Sequence, residues 1–325
     1  MLNRRLFLSQ CLLTACSPSL KHFPFDRGNT ILPNALRITY YSVGCFLVEW
    51  QGEAFLTDPF WSHPSFCQVA IGKTIPIADR VDPYIKDIQH AQAVLVGHSH
   101  YDHTLDLPYI LPNLQPTAKV LGSQTLKHTF AAQLPQDQFV VCNPHVASID
   151  HPGTFLYSHN KKMRILPIES SHPAQVGWIH LFRDRLKKDR KTPPSRSWHY
   201  QEGITLAFLI DFFDENQLLH KRVYVQTSSR GFPSGAFPKE ILDAHPVDVA
   251  LIGMDSANTK YYGQPSIIDF LNAEHVVFCH WEDFFRRKEQ SPKARVKADL
   301  PKLKRYFSGL KESYIFPYFD STFWL

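Results

Sequence analysis

Apolar positions along the chain fall into short runs rather than long helical stripes. Between Leu36 and Leu56 the runs are Ile38-Thr39-Tyr40-Tyr41, Cys45-Phe46-Leu47-Val48-Glu49-Trp50 and Ala54-Phe55-Leu56, broken at Gly44 and Gly52. Their β-branched and aromatic content predicts two or three strands, closed by the turn Thr57-Asp58-Pro59. A loop rich in proline and aromatic residues follows, from Phe60 to Asp82. Beyond it, strand-like and helix-like stretches alternate. Strands are predicted at 93–96, 139–142, 155–157, 163–168, 204–210, 222–226, 247–252 and 275–278. Helices are predicted at 85–91, 104–114, 123–132, 238–244, 266–272 and 293–306. A polar segment, Arg183 to Ser197, interrupts the series, and no internal repeat or low-complexity tract is visible. Two β-rich halves, each followed by helices, predict an α/β fold: two sheets packed face to face with helices outside, a four-layer αββα sandwich with loops emerging at one edge.

The predicted strand at 93–96 runs into Gly97-His98-Ser99-His100-Tyr101-Asp102-His103. The pattern is H-x-H-x-D-H. His98 and His100, two apart in an extended loop, project to the same side and can share one ion. Asp102 and His103 follow at once and can turn toward a second. Imidazole nitrogen and carboxylate oxygen suit zinc, and also manganese or iron. The chemistry this points to is hydrolysis at one or two metal ions.

Length and charge change the picture little. A chain of 325 residues can build a large core, and a net charge of +5 is too mild to suggest a nucleic-acid binder. The start of the chain changes it more. Paired Arg4 and Arg5 precede an apolar stretch that ends in Leu13-Thr14-Ala15-Cys16. That stretch is about ten residues, against the roughly twenty that span a bilayer. It resembles a bacterial lipoprotein signal with Cys16 as the lipidated residue, and Arg4-Arg5-Leu6-Phe7-Leu8 resembles a twin-arginine export signal. The expected organisation is a signal over residues 1–16, a tether over 17–32 and one domain over 33–325. The implied location is a bacterial cell envelope, with the domain anchored to a membrane through Cys16 and facing the periplasm or exterior. Cys45, Cys67, Cys142 and Cys279 show no C-x-x-C spacing and are either disulfide-bonded or free and buried.

H-x-H-x-D-H after a strand resembles the signature of the metallo-β-lactamase superfamily. Phe55-Leu56-Thr57-Asp58-Pro59-Phe60 ahead of it, Ser171-His172 after the strand at 163–168, and His280 in Val277-Phe278-Cys279-His280-Trp281 extend the resemblance over roughly residues 36 to 285. The chain looks most like the branch holding N-acylphosphatidylethanolamine phospholipase D and the ascorbate-phosphate lactonase-like proteins. The resemblance implies the metallo-β-lactamase fold. It implies a first ion held by His98, His100 and His172, and a second held by Asp102, His103 and His280. Asp102 would also orient the attacking hydroxide, as the catalytic carboxylate. Asp58 is expected to fix a turn or steady a ligand histidine rather than bind metal. Tyr101 either lines the pocket or packs. One departure stands out. Relatives carry a bridging aspartate in a Gly-Asp-Thr-like turn, whereas here Val223-Tyr224-Val225 leads into Gln226-Thr227-Ser228-Ser229, with Ser228 at that place. A neutral hydroxyl is a poor bridge between two dications, so the second site should be the weaker one unless Asp255 compensates.

The expected function is therefore a metal-dependent hydrolase using a metal-bound hydroxide on phosphodiester, phospholipid or lactone substrates at the cell envelope. The alternative is a catalytically impaired, metal-stabilised binding or scaffold protein, for which Ser228 is the main argument. The expected partners are a small-molecule or lipid substrate and a membrane, with no nucleic acid. The basic run from Arg183 to Arg196 either attracts an anionic substrate or headgroup at the mouth or is a solvated loop.

Overall fold

The computed structural model describes residues 19–174, 180–254, 266–295, 300–307 and 314–325. The strands β1 (Arg37–Ser42), β2 (Cys45–Trp50), β3 (Glu53–Thr57), β4 (Ala93–Leu95), β5 (Lys119–Gly122) and β6 (Phe139–Val141) form one sheet in that order. A second sheet is built from β7 (Leu156–Tyr157), β8 (Met163–Ser170), β9 (Thr205–Phe213), β10 (Leu219–Gln226), β11 (Val249–Gly253), β12 (His275–Cys279) and β13 (Tyr314–Ile315). The strand β14 (Ser321–Trp324) returns to the first sheet and pairs antiparallel with β1, Arg37 opposite Trp324. Helices flank the pair. On the side of the first sheet lie α1 (Phe66–Ala70), α2 (Ala78–Ile88), α3 (Tyr101–Thr104), α4 (Leu107–Ile110) and α5 (Gln124–Thr129); α6 (Lys239–Ala244), α7 (Ile267–Leu271) and α8 (Leu300–Phe307) accompany the second. This is the four-layer sandwich expected from the sequence.

Alternation along the strands explains the layers. In β2, Phe46, Val48 and Trp50 enter the core shared with the second sheet, while Cys45 and Leu47 enter the core under the outer helices. In β3, Phe55 goes to the first and Ala54 and Leu56 to the second; in β4 to Val96, Ala93 and Leu95 part from Val94 and Val96 in the same way. Successive side chains leave a strand on opposite faces, so a strand covered on both faces must be apolar throughout. That is why these segments read as unbroken apolar runs.

Several expectations change. Each sheet carries the same plan: an antiparallel set (β1-β2-β3; β8-β9-β10) continued by parallel strands (β4-β5-β6; β11-β12-β13). The repeat lies in topology and leaves no trace in residue identity. Of the segment expected to be a tether, residues 19–26 are docked on the domain. The Leu20 N–H donates to Pro292 O and Asp26 N–H to Phe316 O, and the Phe25 ring lies 4.5 Å from that of Trp281. Its polar reading hid Leu20, Phe23 and Phe25, which bury apolar surface on the main core. The helix expected at 85–91 starts earlier, at Ala78, and continues through Pro83. The helix expected at 104–114 is two short ones, α3 and α4, with a 3-10 turn at Leu111–Asn113. The four cysteines of the described residues are free. The signal with Cys16, and Asp255, lie outside the described residues. Among the described residues no helix is long and apolar enough to cross a membrane.

Candidate metal centre

The ligand-type residues emerge at the ends of strands. Val96 still pairs with the first sheet, its N–H donating to Leu121 O. Gly97 then turns the chain. A Cβ at Gly97 would lie 2.9 Å from Thr227 Oγ1, so a larger residue would push that hydroxyl away from Asp58. His98 to His100 continue extended, and His100 is the N-cap of α3, with φ −67° and ψ 156°. Thr104 Oγ1 donates to His100 O and secures the turn. Extended backbone thus presents His98 and His100, while the first helical turn presents Asp102 and His103. One motif feeds two directions because the chain changes conformation in its middle.

His172 stands two residues beyond β8. Ser171 Oγ donates to Ser234 Oγ, and Arg230 Nε donates to His172 O at 2.9 Å, tying this end to the turn after β10. His280 follows β12 with φ 57°, a left-handed conformation that costs a non-glycine residue roughly 1–2 kcal/mol. Its N–H donates to Val43 O at 2.8 Å, and Val43 is itself left-handed at φ 49°. The buried Glu282 carboxylate holds the pair. It accepts from Tyr40 Oη at 2.9 Å and from the Val43 N–H. The β1–β2 turn and the His280 loop are thereby clamped together.

These elements bring the six expected residues into two triads. In each, the donor atoms of His98, His100 and His172, or of Asp102, His103 and His280, lie within 4.8 Å of one another. Asp102 Oδ2 is 3.6 Å from both His103 Nε2 and His280 Nε2. Donors about 2.0–2.2 Å from one tetrahedral zinc sit roughly 3.4 Å apart, so the second triad has the right spacing. His98 Nε2 lies 3.0 Å from His100 Nδ1. The triads adjoin, since the His98 ring centroid is 4.0 Å from that of His103.

Asp58 sets the tautomer of His103. Its Oδ2 accepts from His103 Nδ1 at 2.8 Å and from Thr227 Oγ1 at 2.6 Å, and its Oδ1 accepts from the Gly97 N–H at 2.8 Å. Nδ1 therefore carries a proton, and buried Nε2, which has no hydrogen-bond partner, faces Asp102 across the triad. Burial works to lower the His103 pKa, but the Asp58 and Asp102 carboxylates outweigh it and raise it, so a bound cation would take the place of the Nε2 proton. An orphaned, buried imidazole nitrogen beside a carboxylate is what a cation ligand looks like. Burial lowers the pKa of His98 and His172 well below the usual histidine value and that of His100 to about 4, which keeps all three neutral. Burial also works to raise the Asp102 carboxyl, but the neighbouring His103 and His280 outweigh it and hold the acid ionised.

Ser228 lies two residues beyond β10, 3% exposed, and its carbonyl accepts from Ser170 Oγ. Among the described residues the two triads share no carboxylate. Tyr101 packs, with its ring 6.2 Å from Phe60 and 6.4 Å from Phe284. The basic run leaves the site at Phe182, whose carbonyl is 3.3 Å from His100 Nε2. Sequence reasoning missed the clamp of Tyr40, Val43 and Glu282. Its one signal was an acid two residues after His280, at the end of an apolar strand.

Residues 53–211 match the model of the family described as Beta-lactamase superfamily domain. No curated protein matches the chain in sequence. Among solved structures, Igni18, a metallo hydrolase from the archaeon Ignicoccus hospitalis, is similar at 18% identity and a TM-score of 0.52, covering 90% of this chain and 99% of that one. A "possible metal-dependent hydrolase" from Veillonella parvula is similar at 12% identity and a TM-score of 0.52, covering 90% and 100%. CmlA, a diiron β-hydroxylase from Streptomyces venezuelae, is similar at 15% identity and a TM-score of 0.51, covering 90% of this chain and 55% of that one.

Proposed function

From a chain with the metallo-β-lactamase fold and two adjoining ligand triads, we propose a metal-dependent hydrolase. The observation that carries this reading is the second triad: an ionised, buried carboxylate between two imidazole nitrogens, one of them orphaned and locked by Asp58. Zinc ions, or manganese or iron, would be held by His98, His100 and His172 and by Asp102, His103 and His280. Bound there, such ions supply a Lewis acid and lower the pKa of water toward neutrality. The chain's own part is to keep the first three imidazoles neutral, to fix His103 through Asp58, and to bring one carboxylate, Asp102, between His103 and His280.

For the substrate we favour a phosphodiester or phospholipid headgroup at the cell envelope, ahead of a lactone. Hydrolysis then adds a water oxygen to phosphorus, breaks one P–O ester bond and passes the water proton to the leaving oxygen. The basic run that starts beside His100 supports an anionic substrate, and the lipoprotein-like start of the chain supports the envelope. Ser228 favours a second reading, an impaired enzyme kept as a metal-stabilised binding protein.

The test has two parts. Metal content is measured by mass spectrometry in wild type and Ser228→Asp, and hydrolysis of a generic phosphodiester is measured with added zinc or manganese against Asp102→Ala. About one tight ion rising to two in Ser228→Asp, with hydrolysis lost in Asp102→Ala, supports the proposal and a weak second site. Two ions in the wild type would mean that another group bridges. Metal bound but equal rates in wild type and Asp102→Ala would reject hydrolysis of this substrate class and favour the binding reading.

A further inference from the structure

The basic run is also strongly polarised. Between Arg183 and Arg196 stand seven Lys and Arg against Asp184 and Asp189, a net charge of +5. The whole chain also carries +5, so everything outside this run sums to zero. Arg183, Arg185, Lys187, Lys188 and Lys191 are exposed.

Beside this charge stand three large apolar side chains in water: Ile71 at 68% exposure, Ile75 at 41% and Trp198 at 46%. They do not dangle. Arg196 Nη1 donates to Ile71 O at 2.6 Å and to Gly72 O at 2.5 Å, while its guanidinium lies 5.7 Å from the Trp198 ring centroid. The Thr74 N–H donates to Ser195 O, and Ser197 Oγ donates to Val69 O. The segment 71–75 alternates, with Ile71, Lys73 and Ile75 outward and Thr74 fully buried. Two loops from distant parts of the chain are therefore stitched together so that one tryptophan and two isoleucines project beside Arg196 and the exposed Lys73, at the C-terminal end of the basic run.

We propose that this face docks on the surface of an anionic lipid bilayer, with Trp198, Ile71 and Ile75 entering the headgroup boundary and the basic run lying against the lipid phosphates. Tryptophan and aliphatic tips beside Lys and Arg are the composition of an interfacial contact. A protein partner fits less well, because the buried part of a protein interface excludes lysine. A nucleic acid would use the charges and stack on Trp198, yet would leave Ile71 and Ile75 without a role. The run begins at Phe182 beside His100, so a docked bilayer would lie along one rim of the triads. The proposal does not depend on the hydrolase reading.

The test is co-sedimentation of the full chain with phosphatidylglycerol-rich or phosphatidylcholine vesicles, with Cys16→Ala in every sample so that no acyl chain contributes. Expected is binding to the anionic vesicles at least about tenfold stronger than to the neutral ones, lost in high salt. Ile71→Ser/Trp198→Ser and, separately, Lys187→Glu/Lys188→Glu/Lys191→Glu should each weaken it by about tenfold or more. Positions 71, 187, 188, 191 and 198 are exposed, and circular dichroism confirms folding. Equal binding to both lipids, or an unchanged partition in the apolar variant, overturns the proposal; heparin binding that needs only the lysines would mark a general polyanion site instead. Phosphodiester hydrolysis is read on the same samples, so loss of that reading and loss of this one are seen separately.

Discussion

Replacing Asp58 with asparagine puts the logic of the site to its sharpest test. The carboxylate has three donors around it: His103 Nδ1 and Thr227 Oγ1 on Oδ2, and the Gly97 N–H on Oδ1. An amide offers one oxygen and one NH2. If the oxygen faces His103, the NH2 meets the Gly97 N–H, donor against donor. If the NH2 faces His103, Nδ1 must accept, the ring proton moves to Nε2 and the lone pair is lost from the second triad. Either arrangement strands a buried donor, at a cost of about 1–3 kcal/mol. Residues that steady a ligand histidine are typically worth 10- to 100-fold in metal affinity, or about 1.4–2.7 kcal/mol. The assay is competitive zinc titration against a chromophoric chelator, with urea unfolding of the metal-free protein alongside. The weaker of the two dissociation constants should rise about 10- to 100-fold in Asp58→Asn, while the tighter one stays nearly unchanged. Unchanged constants together with reduced metal-free stability would refute the reasoning and leave Asp58 as a turn residue.

Three further outcomes are expected. Tyr40→Phe takes a donor from the buried Glu282 carboxylate and should cost about 1–3 kcal/mol in thermal denaturation, with looser binding at His280. Asp211→Ala removes the carboxylate that accepts from Arg222 Nε at 2.6 Å and leaves a guanidinium 1% exposed, so urea unfolding should show a loss of about 3–5 kcal/mol. Burial, with help from Lys288, lowers the pKa of His63 to about 3. The folded pKa is depressed, so the stability His63 allows is complete above about 6.5 and is lost as the pH falls toward 3, because the unfolded chain takes the proton first. Between pH 7 and 5 the wild type should lose about 2 kcal/mol more than His63→Asn in urea melts, and equal losses would disprove the linkage.

Local pattern carried the layer architecture and the H-x-H-x-D-H loop, since both depend on neighbours in sequence. His172 and His280 were placed by strand order and a family resemblance, and the fold brings both to the motif. Asp58 was expected to steady a ligand histidine or a turn, and it does both, through His103 Nδ1 and the Gly97 N–H. The rest depends on contacts that no local window contains. Tyr40 meets Glu282 across 242 positions, and Thr39 meets Thr322 across 283. The strands β13 and β14 are too short to announce themselves, at two and four residues. Leu20, Phe23 and Phe25 read as a polar tether because they are diluted by proline and charge, and only the surface that receives them makes them core.

The pairing of β14 with β1 has a consequence for the order of synthesis. The outer edge of β1 has no partner until residues 321–324 have been made. At about 5–20 residues per second, a ribosome takes on the order of fifteen to sixty seconds to cover that interval. Throughout it the first sheet offers a bare strand edge, the kind of template on which nascent chains pair with one another. The first sheet is therefore completed after the second, whose last strand is made at residues 314–315, and Arg37 to Tyr40 stay open to pairing throughout that wait.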